Sequence, residues 1–128
     1  MPRRHEDWLR QAKRKLDSAR WDLQGAFYED ACFSAHQAAE LAAKALLESQ
    51  GRVETGHSVQ ALLKKAGVSE ARLLGGGRTL DRYYIPTRYP NGFPSGAPMD
   101  YYDEPTAQEA IELAARIVEF VEQQIAGL

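Results

Sequence analysis

The chain has one cysteine, no long apolar run and almost no net charge, and each shortage excludes something. Cys32 alone cannot close an intramolecular disulfide, so packing must hold the fold, and a buried, inert thiol in a reducing compartment is expected. No stretch approaches the roughly 20 apolar residues that span a bilayer, and residues 1–20 lack the apolar core of a signal peptide. A soluble, cytoplasmic protein with no membrane role is therefore expected. A formal net charge of −2 over 128 residues gives no global pull toward nucleic acid. There is no P-loop, GxGxxG, GxSxG or HExxH motif. The three histidines, His5, His36 and His57, lie on separate segments, so neither a metal site nor a cofactor is expected.

What is present is helical periodicity. A length of 128 residues suits one domain with a single core. Residues 28–50 contain no Gly or Pro and are rich in Ala and Leu, the best helix formers. They predict one long central helix ended by Gly51 in the left-handed cap position. At about 100° per residue, Ala31, Ala35, Ala38, Ala39, Ala42, Ala45 and Leu46 share one small apolar face against which neighbouring helices can pack closely. His36, Gln37, Glu40, Lys44 and Glu48 form a polar stripe, with His36, Glu40 and Lys44 stacked at i, i+4, i+8.

Before it, Trp8, Ala12, Leu16, Ala19 and Leu23 recur at helical spacing, which predicts a helix from His5 to about Gly25. After Gly51, a short helix from about Ser58 to Ala66 is expected, closed by Gly67. Ser69 would cap a further turn through Leu74. Gly75, Gly76 and Gly77 then read as an interruption, with Thr79 to Tyr84 resuming before Pro86. Five of the six prolines fall between Ile85 and Pro105, so a loop of about 20 residues is expected there; loops that long are usually functional or disordered. The tetrad Thr106–Glu109 reads as a capping box opening a last helix that runs to about Ala126, with Ala110, Ala114, Ile117, Val118, Val121 and Ile125 facing inward. No segment reads as a strand. The expectation is an all-α, up-and-down four-helix bundle with a broken third segment and a long Pro-rich loop before the last helix.

Charge alternates along the chain. Residues 1–20 and 51–99 each carry seven Lys and Arg against three acids, residues 21–50 one against five, and residues 100–128 one against seven. Either basic and acidic helices lie side by side and compensate, or the basic segments form a face for an anionic partner.

Three groups of residues could carry chemistry. Arg78, Arg82, Tyr83, Tyr84, Arg88 and Tyr89 interleave guanidinium groups, which fork onto phosphates, with rings that stack on bases. The alternative is that the rings pin the loop to the bundle and each Arg pairs with an acid. The stripe of His36, Gln37, Glu40 and Lys44 would form a polar cleft only if the Arg–Tyr loop folded over it; Glu40 could then orient the His36 imidazole for proton transfer. Otherwise it is a solvated face or a dimer contact. Arg52 and His57 could hold a phosphate and move a proton, the minimum for cleaving RNA through its own 2′-hydroxyl, although His57 could equally help cap the next helix.

The segments AFYEDACFSAHQAAELAAKALLESQG, GHSVQALL and LDRYYIPTRYPNG, in that order and followed by an amphipathic helix, resemble the signatures of HEPN-domain proteins. The resemblance covers the chain from about Trp8 to Ile125. It implies a four-helix bundle, usually a homodimer, of the stand-alone prokaryotic form that is paired with a minimal nucleotidyltransferase as toxin and antitoxin or as a two-subunit enzyme. Many members are metal-independent ribonucleases whose motif, an Arg followed four to six residues later by a His, lies near the start of the last helix. This sequence departs there: no His occurs after His57, and Arg52 with His57 has the spacing in another place. What the resemblance carries over is His36, Gln37 and Glu40 from AHQAAE and Tyr84, Arg88 and Tyr89 from YIPTRYP. With Arg82, these would line a site for a nucleotide or RNA, with Arg52, His57 and His36 as candidate catalytic residues. A pure protein-interaction scaffold is the remaining alternative.

Overall fold

The structure, a computed structural model, describes residues 4–128. Every regular element among them is helical: α1 (His5–Gln24), α2 (Tyr28–Ser49), α3 (Val59–Lys65), α4 (Ala71–Asp81) and α5 (Glu104–Ala126), with short 3-10 turns at Pro90–Gly92 and Pro98–Asp100. α1, α2 and α5 are the long legs of a bundle, and α3 with α4 make the broken third leg. α2 lies at the centre, packed against each of the others. Its alanines explain the position: Ala31, Ala35, Ala38, Ala39, Ala42, Ala43 and Ala45 are all fully buried. Side chains this small let backbones approach closely on several sides at once. Larger groups, including Leu47, Leu62, Leu63, Leu80, Ile117 and Val121, fill the remaining core.

Helix ends follow local chemistry in most places. Gly51, with φ +76°, terminates α2, and Gly67, with φ +89°, terminates α3. The Ser58 hydroxyl accepts the Ala61 N–H at 3.1 Å and caps α3, a role His57 does not share. α5 begins three residues earlier than the expected capping box. Asp103 is its N-cap, accepting the Thr106 N–H at 2.9 Å, and Pro105 sits in the first turn, where it needs no donor.

The glycine triplet does not interrupt a helix. α4 runs unbroken through Gly75, Gly76 and Gly77, and neither the turn capped by Ser69 nor the helix resuming through Tyr84 forms as expected. The reason is close packing. A Cβ on Gly77 would lie 3.0 Å from the Gln60 amide nitrogen and 3.1 Å from Val59 Cγ1, so α4 approaches α3 backbone to backbone there. A Cβ on Gly76 would meet Leu113 at 3.4 Å, whereas one on Gly75 would meet nothing within 4 Å. The helix tolerates residues that weaken it because one of them, Gly77, permits an approach that a side chain would obstruct.

The segment from Arg82 to Asp103 has no long regular element but is tied down throughout. Thr87 is buried and donates to the Tyr83 carbonyl at 2.7 Å. Phe93 stacks on Tyr101 with ring centroids 4.0 Å apart, and the Tyr101 hydroxyl donates to the Ser95 carbonyl at 2.6 Å. Peptide bonds here, including those preceding the prolines, are trans.

The glycines give an internal comparison. Gly75→Ala should stabilise the protein by about 0.5–1 kcal/mol through helix propensity, while Gly77→Ala should destabilise it by about 1–3 kcal/mol through overpacking. Chemical denaturation of both variants measures this; equal effects of one sign would refute the close-approach account.

Candidate functional site

The polar stripe of α2 is covered by the turn before α3, by the end of α4 and by Tyr84. His36 is fully buried and Glu40 nearly so. The expected pairing of these two residues is replaced by two separate pairs, each completed from another element.

The first pair is His36 with Asp81. His36 Nε2 lies 2.8 Å from the His57 carbonyl and 3.2 Å from Asp81 Oδ1. Both are acceptors, so Nε2 carries the proton and is shared between them. Asp81 also receives the Val59 N–H at 2.7 Å, the Ser58 hydroxyl at 2.8 Å and the Gln60 N–H at 3.3 Å. The last residue of α4 thus caps the first turn of α3. Burial alone would raise its carboxyl, but hydrogen bonds from His36, Val59, Ser58 and Gln60 outweigh this and hold it below the usual carboxylate range.

The second pair is Glu40 with His57. The carboxylate divides its oxygens: Oε1 takes His57 Nδ1 at 3.2 Å, and Oε2 takes the Lys44 ammonium at 2.9 Å. Nδ1 of His57 therefore carries a proton, and Nε2 has no protein partner among the described residues. The His57 side chain is 56% exposed, so this nitrogen is within reach of a ligand.

Tyr84 joins the two pairs. Its ring stacks on His57 at 4.6 Å, tilts against His36 at 5.3 Å and faces Phe33 at 6.3 Å. Arg88 completes the cluster. Its Nε donates to the Tyr84 carbonyl at 2.9 Å, and its guanidinium carbon sits 4.5 Å from the Phe33 centroid, 4.7 Å from Tyr84 and 5.2 Å from Tyr89. No carboxylate among the described residues pairs with Arg88 or with the exposed Arg82. By contrast, Arg4, Arg10, Lys13 and Arg20 of the basic N-terminal segment are each matched to an acid.

Other candidates lie elsewhere. Arg52 binds the Lys65 carbonyl and, at 3.2 Å, Glu54, so it fastens the end of α3 instead of joining His57. Tyr83 turns inward, edge-on to Tyr102 at 5.9 Å, and burial pushes its hydroxyl up to about 12. Arg78 reaches the Gln60 side chain at 3.2 Å when that amide presents its oxygen. Gln37 is half-buried and makes no hydrogen bond within the cluster. Cys32 is buried, with its thiol pushed up to about 12 by burial first and nearby acids second. Asp81 and Phe33 are the residues the sequence reading missed. Asp81 did carry a signal, since it is the one acid between Glu70 and Asp100 in a basic stretch.

The family model for the HEPN domain matches residues 5–124. The chain belongs to the HEPN family. Three solved structures show the same fold. TT1696 from Thermus thermophilus is 41% identical over 95% of this chain and 98% of its own, with a TM-score of 0.91. ST0689, an archaeal HEPN homologue, is 44% identical over 98% and 99%, with a TM-score of 0.84. A HEPN domain protein of Thermotoga maritima, tm0613, is 30% identical over 95% and 99%, with a TM-score of 0.78. No curated protein matches the sequence. As in other HEPN proteins the architecture is helical, and no helix among the described residues is long and apolar enough to cross a membrane.

The Asp81 contacts should show in a pH series. Asp81→Ala should cost about 1–3 kcal/mol at pH 7, as a cap and a buried partner are lost together. A carboxyl lowered by folding stabilises above its unfolded value near 3.9 and loses that effect as pH falls through the folded value. The gap between wild type and variant should therefore shrink below about pH 4. A gap independent of pH in urea denaturation would show that the charge of Asp81 is immaterial.

Proposed function

We propose that this HEPN protein is a nucleotide- or RNA-binding module. It would work as a cytoplasmic homodimer beside a minimal nucleotidyltransferase in a two-component, toxin–antitoxin-like system. Binding is assigned to the cleft of Glu40, His57, Tyr84, Arg88 and Tyr89, with Arg82 at its edge and His36 beneath it. The observation that carries the reading is Arg88: an exposed guanidinium held over three aromatic rings, with Nε already bonded and no acid to neutralise it. Such a group is pre-oriented to fork onto a phosphate through its two remaining nitrogens, and Tyr89, 48% exposed, offers a face for a base. The pairing with a nucleotidyltransferase and the homodimer rest on family membership.

Millimolar ATP or GTP should raise the melting temperature by about 3 °C or more in wild type, and Arg88→Ala should abolish the shift. An unchanged shift in the variant, or none in wild type, would remove Arg88 from the binding role.

A second reading is favoured by one feature, the Glu40–His57 pair. A carboxylate holding Nδ1–H leaves Nε2 oriented as a base. His57 could take the proton of an RNA 2′-hydroxyl while Arg88 holds the phosphate; the 2′-oxygen then attacks phosphorus and the 5′-oxygen leaves. On this reading, RNA incubated in EDTA yields ends with 2′,3′-cyclic phosphate, and His57→Ala slows cleavage by about 10²-fold or more. Cleavage that survives His57→Ala would exclude the pair from the chemistry.

A further inference from the structure

The outward face of α4 carries two residues that cost the helix and return nothing in packing. Leu73, Gly76, Gly77 and Leu80 form its buried side. Away from them lie Gly75, Arg78 and Arg82, with Arg72 at the flank, and these four fall within about 120° of the helix circumference. Gly75 weakens the helix, yet a Cβ added there would meet nothing within 4 Å, so no close contact requires the glycine. Arg72 stands in the first turn of α4, where the helix dipole disfavours a cation. Local rules broken on one exposed face, without a gain to the core, mark a role outside the fold.

The charge of this face is not neutralised. Arg72, Arg78 and Arg82 are exposed, and among the described residues no carboxylate pairs with any of them. Arg78 is steadied at 3.2 Å by the Gln60 side chain when that amide presents its oxygen, a neutral partner that orients the guanidinium and leaves its charge intact. The acids of the same stretch are engaged elsewhere: Asp81 by α3 and His36, and Glu54 by Arg52 and Lys65. Glu70, at the N-cap, is the one acid of residues 51–99 left without a cation. At the other end the face runs into the cleft. Arg82 lies two residues before Tyr84, whose carbonyl holds Arg88 and whose ring covers His57.

We propose that the outward face of α4 is a track for the phosphate backbone of a single-stranded polynucleotide that ends in the cleft of His57 and Arg88. The inference rests on the binding role proposed for that cleft and extends it, making the ligand a strand of several nucleotides. Arginine forks onto phosphate oxygens, and from Arg72 to Arg82 the helix rises about 15 Å, the length of roughly four phosphates in a stacked strand. Bare of a side chain at Gly75, the face lets a backbone come close. A protein partner fits less well, because protein interfaces centre on apolar and aromatic anchors. Between these arginines stand only Gly75 and Thr79.

The probe is a fluorescein-labelled oligothymidylate dodecamer, which has no 2′-hydroxyl to be cleaved, set beside the dinucleotide of the same base and followed by anisotropy in the full chain. The dodecamer should bind about a hundredfold more tightly, beyond the roughly tenfold that its larger number of binding registers supplies. Gly75→Glu, which places a carboxylate in open space at the middle of the track, should weaken the dodecamer about tenfold or more. Arg72→Gln should weaken it about threefold and lower the slope of log affinity against log salt by about 0.7. Both variants should keep wild-type helicity by circular dichroism and wild-type affinity for the dinucleotide. A dodecamer advantage no larger than its registers give, or one that survives both substitutions, would overturn the track and leave the cleft its nucleotide. Absence of dodecamer binding would overturn the track too, and the ATP- or GTP-dependent melting shift would then show whether the role of the cleft falls with it. Equal binding of a polyglutamate peptide of matched charge would also overturn the proposal, because the occupant would be an acidic protein segment.

Discussion

The Asp81 carboxylate is the constraint on which the cluster around His36 and His57 depends. It closes α4, where a negative charge opposes the helix dipole and ordinarily costs a few tenths of a kcal/mol. The same charge lies at the start of α3, where it meets two backbone N–H groups and a hydroxyl, and against His36 of α2. One side chain thus ties three helices together. Gly77, one helical turn earlier on the same face of α4, lets the backbone come close enough to α3 for these contacts to form. The apparent weakness of the glycine triplet and the lone acid are parts of one device.

His36 passes the constraint to the cleft. Its Nε2 bonds the His57 carbonyl as well as Asp81, so the backbone of the residue that faces solvent is anchored from beneath. Glu40 then holds the His57 ring from the side, and Tyr84 covers its face. Buried polar groups are costly unless every partner is supplied. Here His36 Nδ1 has no hydrogen-bond partner, but the other buried polar atoms of the cluster draw theirs from α2, the turn before α3 and the end of α4, and Tyr84 adds its ring from the loop after it, so the cleft needs all four docked. The arrangement holds an imidazole in one orientation and a guanidinium in one place, as a binding or proton-transfer site requires.

Much of the helical framework was legible because its signals are local. Apolar spacing marked α1, α2 and α5, and Gly51 and Gly67 marked helix ends through the backbone freedom that only glycine has. The polar residues of α2 and the Arg–Tyr loop were recognisable as belonging together through the HEPN resemblance. Which of them would touch was not legible. A stripe at i, i+4, i+8 shows that His36, Glu40 and Lys44 share a face, and Lys44 with Glu40 did pair. Spacing along one helix gave no sign that His36 would turn to Asp81, 45 residues away, or that Arg52 would spend itself on the end of α3.

By itself, then, the sequence determined the number and extent of the long helices, the small-residue face of the central one and the family to which the chain belongs. These depend on propensity, periodicity and caps, all set within a few residues. Only the tertiary structure decided that Gly75–Gly77 stays helical and that His57 is the imidazole presented by Glu40. Each of those outcomes rests on contacts between segments far apart in the chain, where the free energy of packing and of satisfying buried polar groups exceeds the local preference.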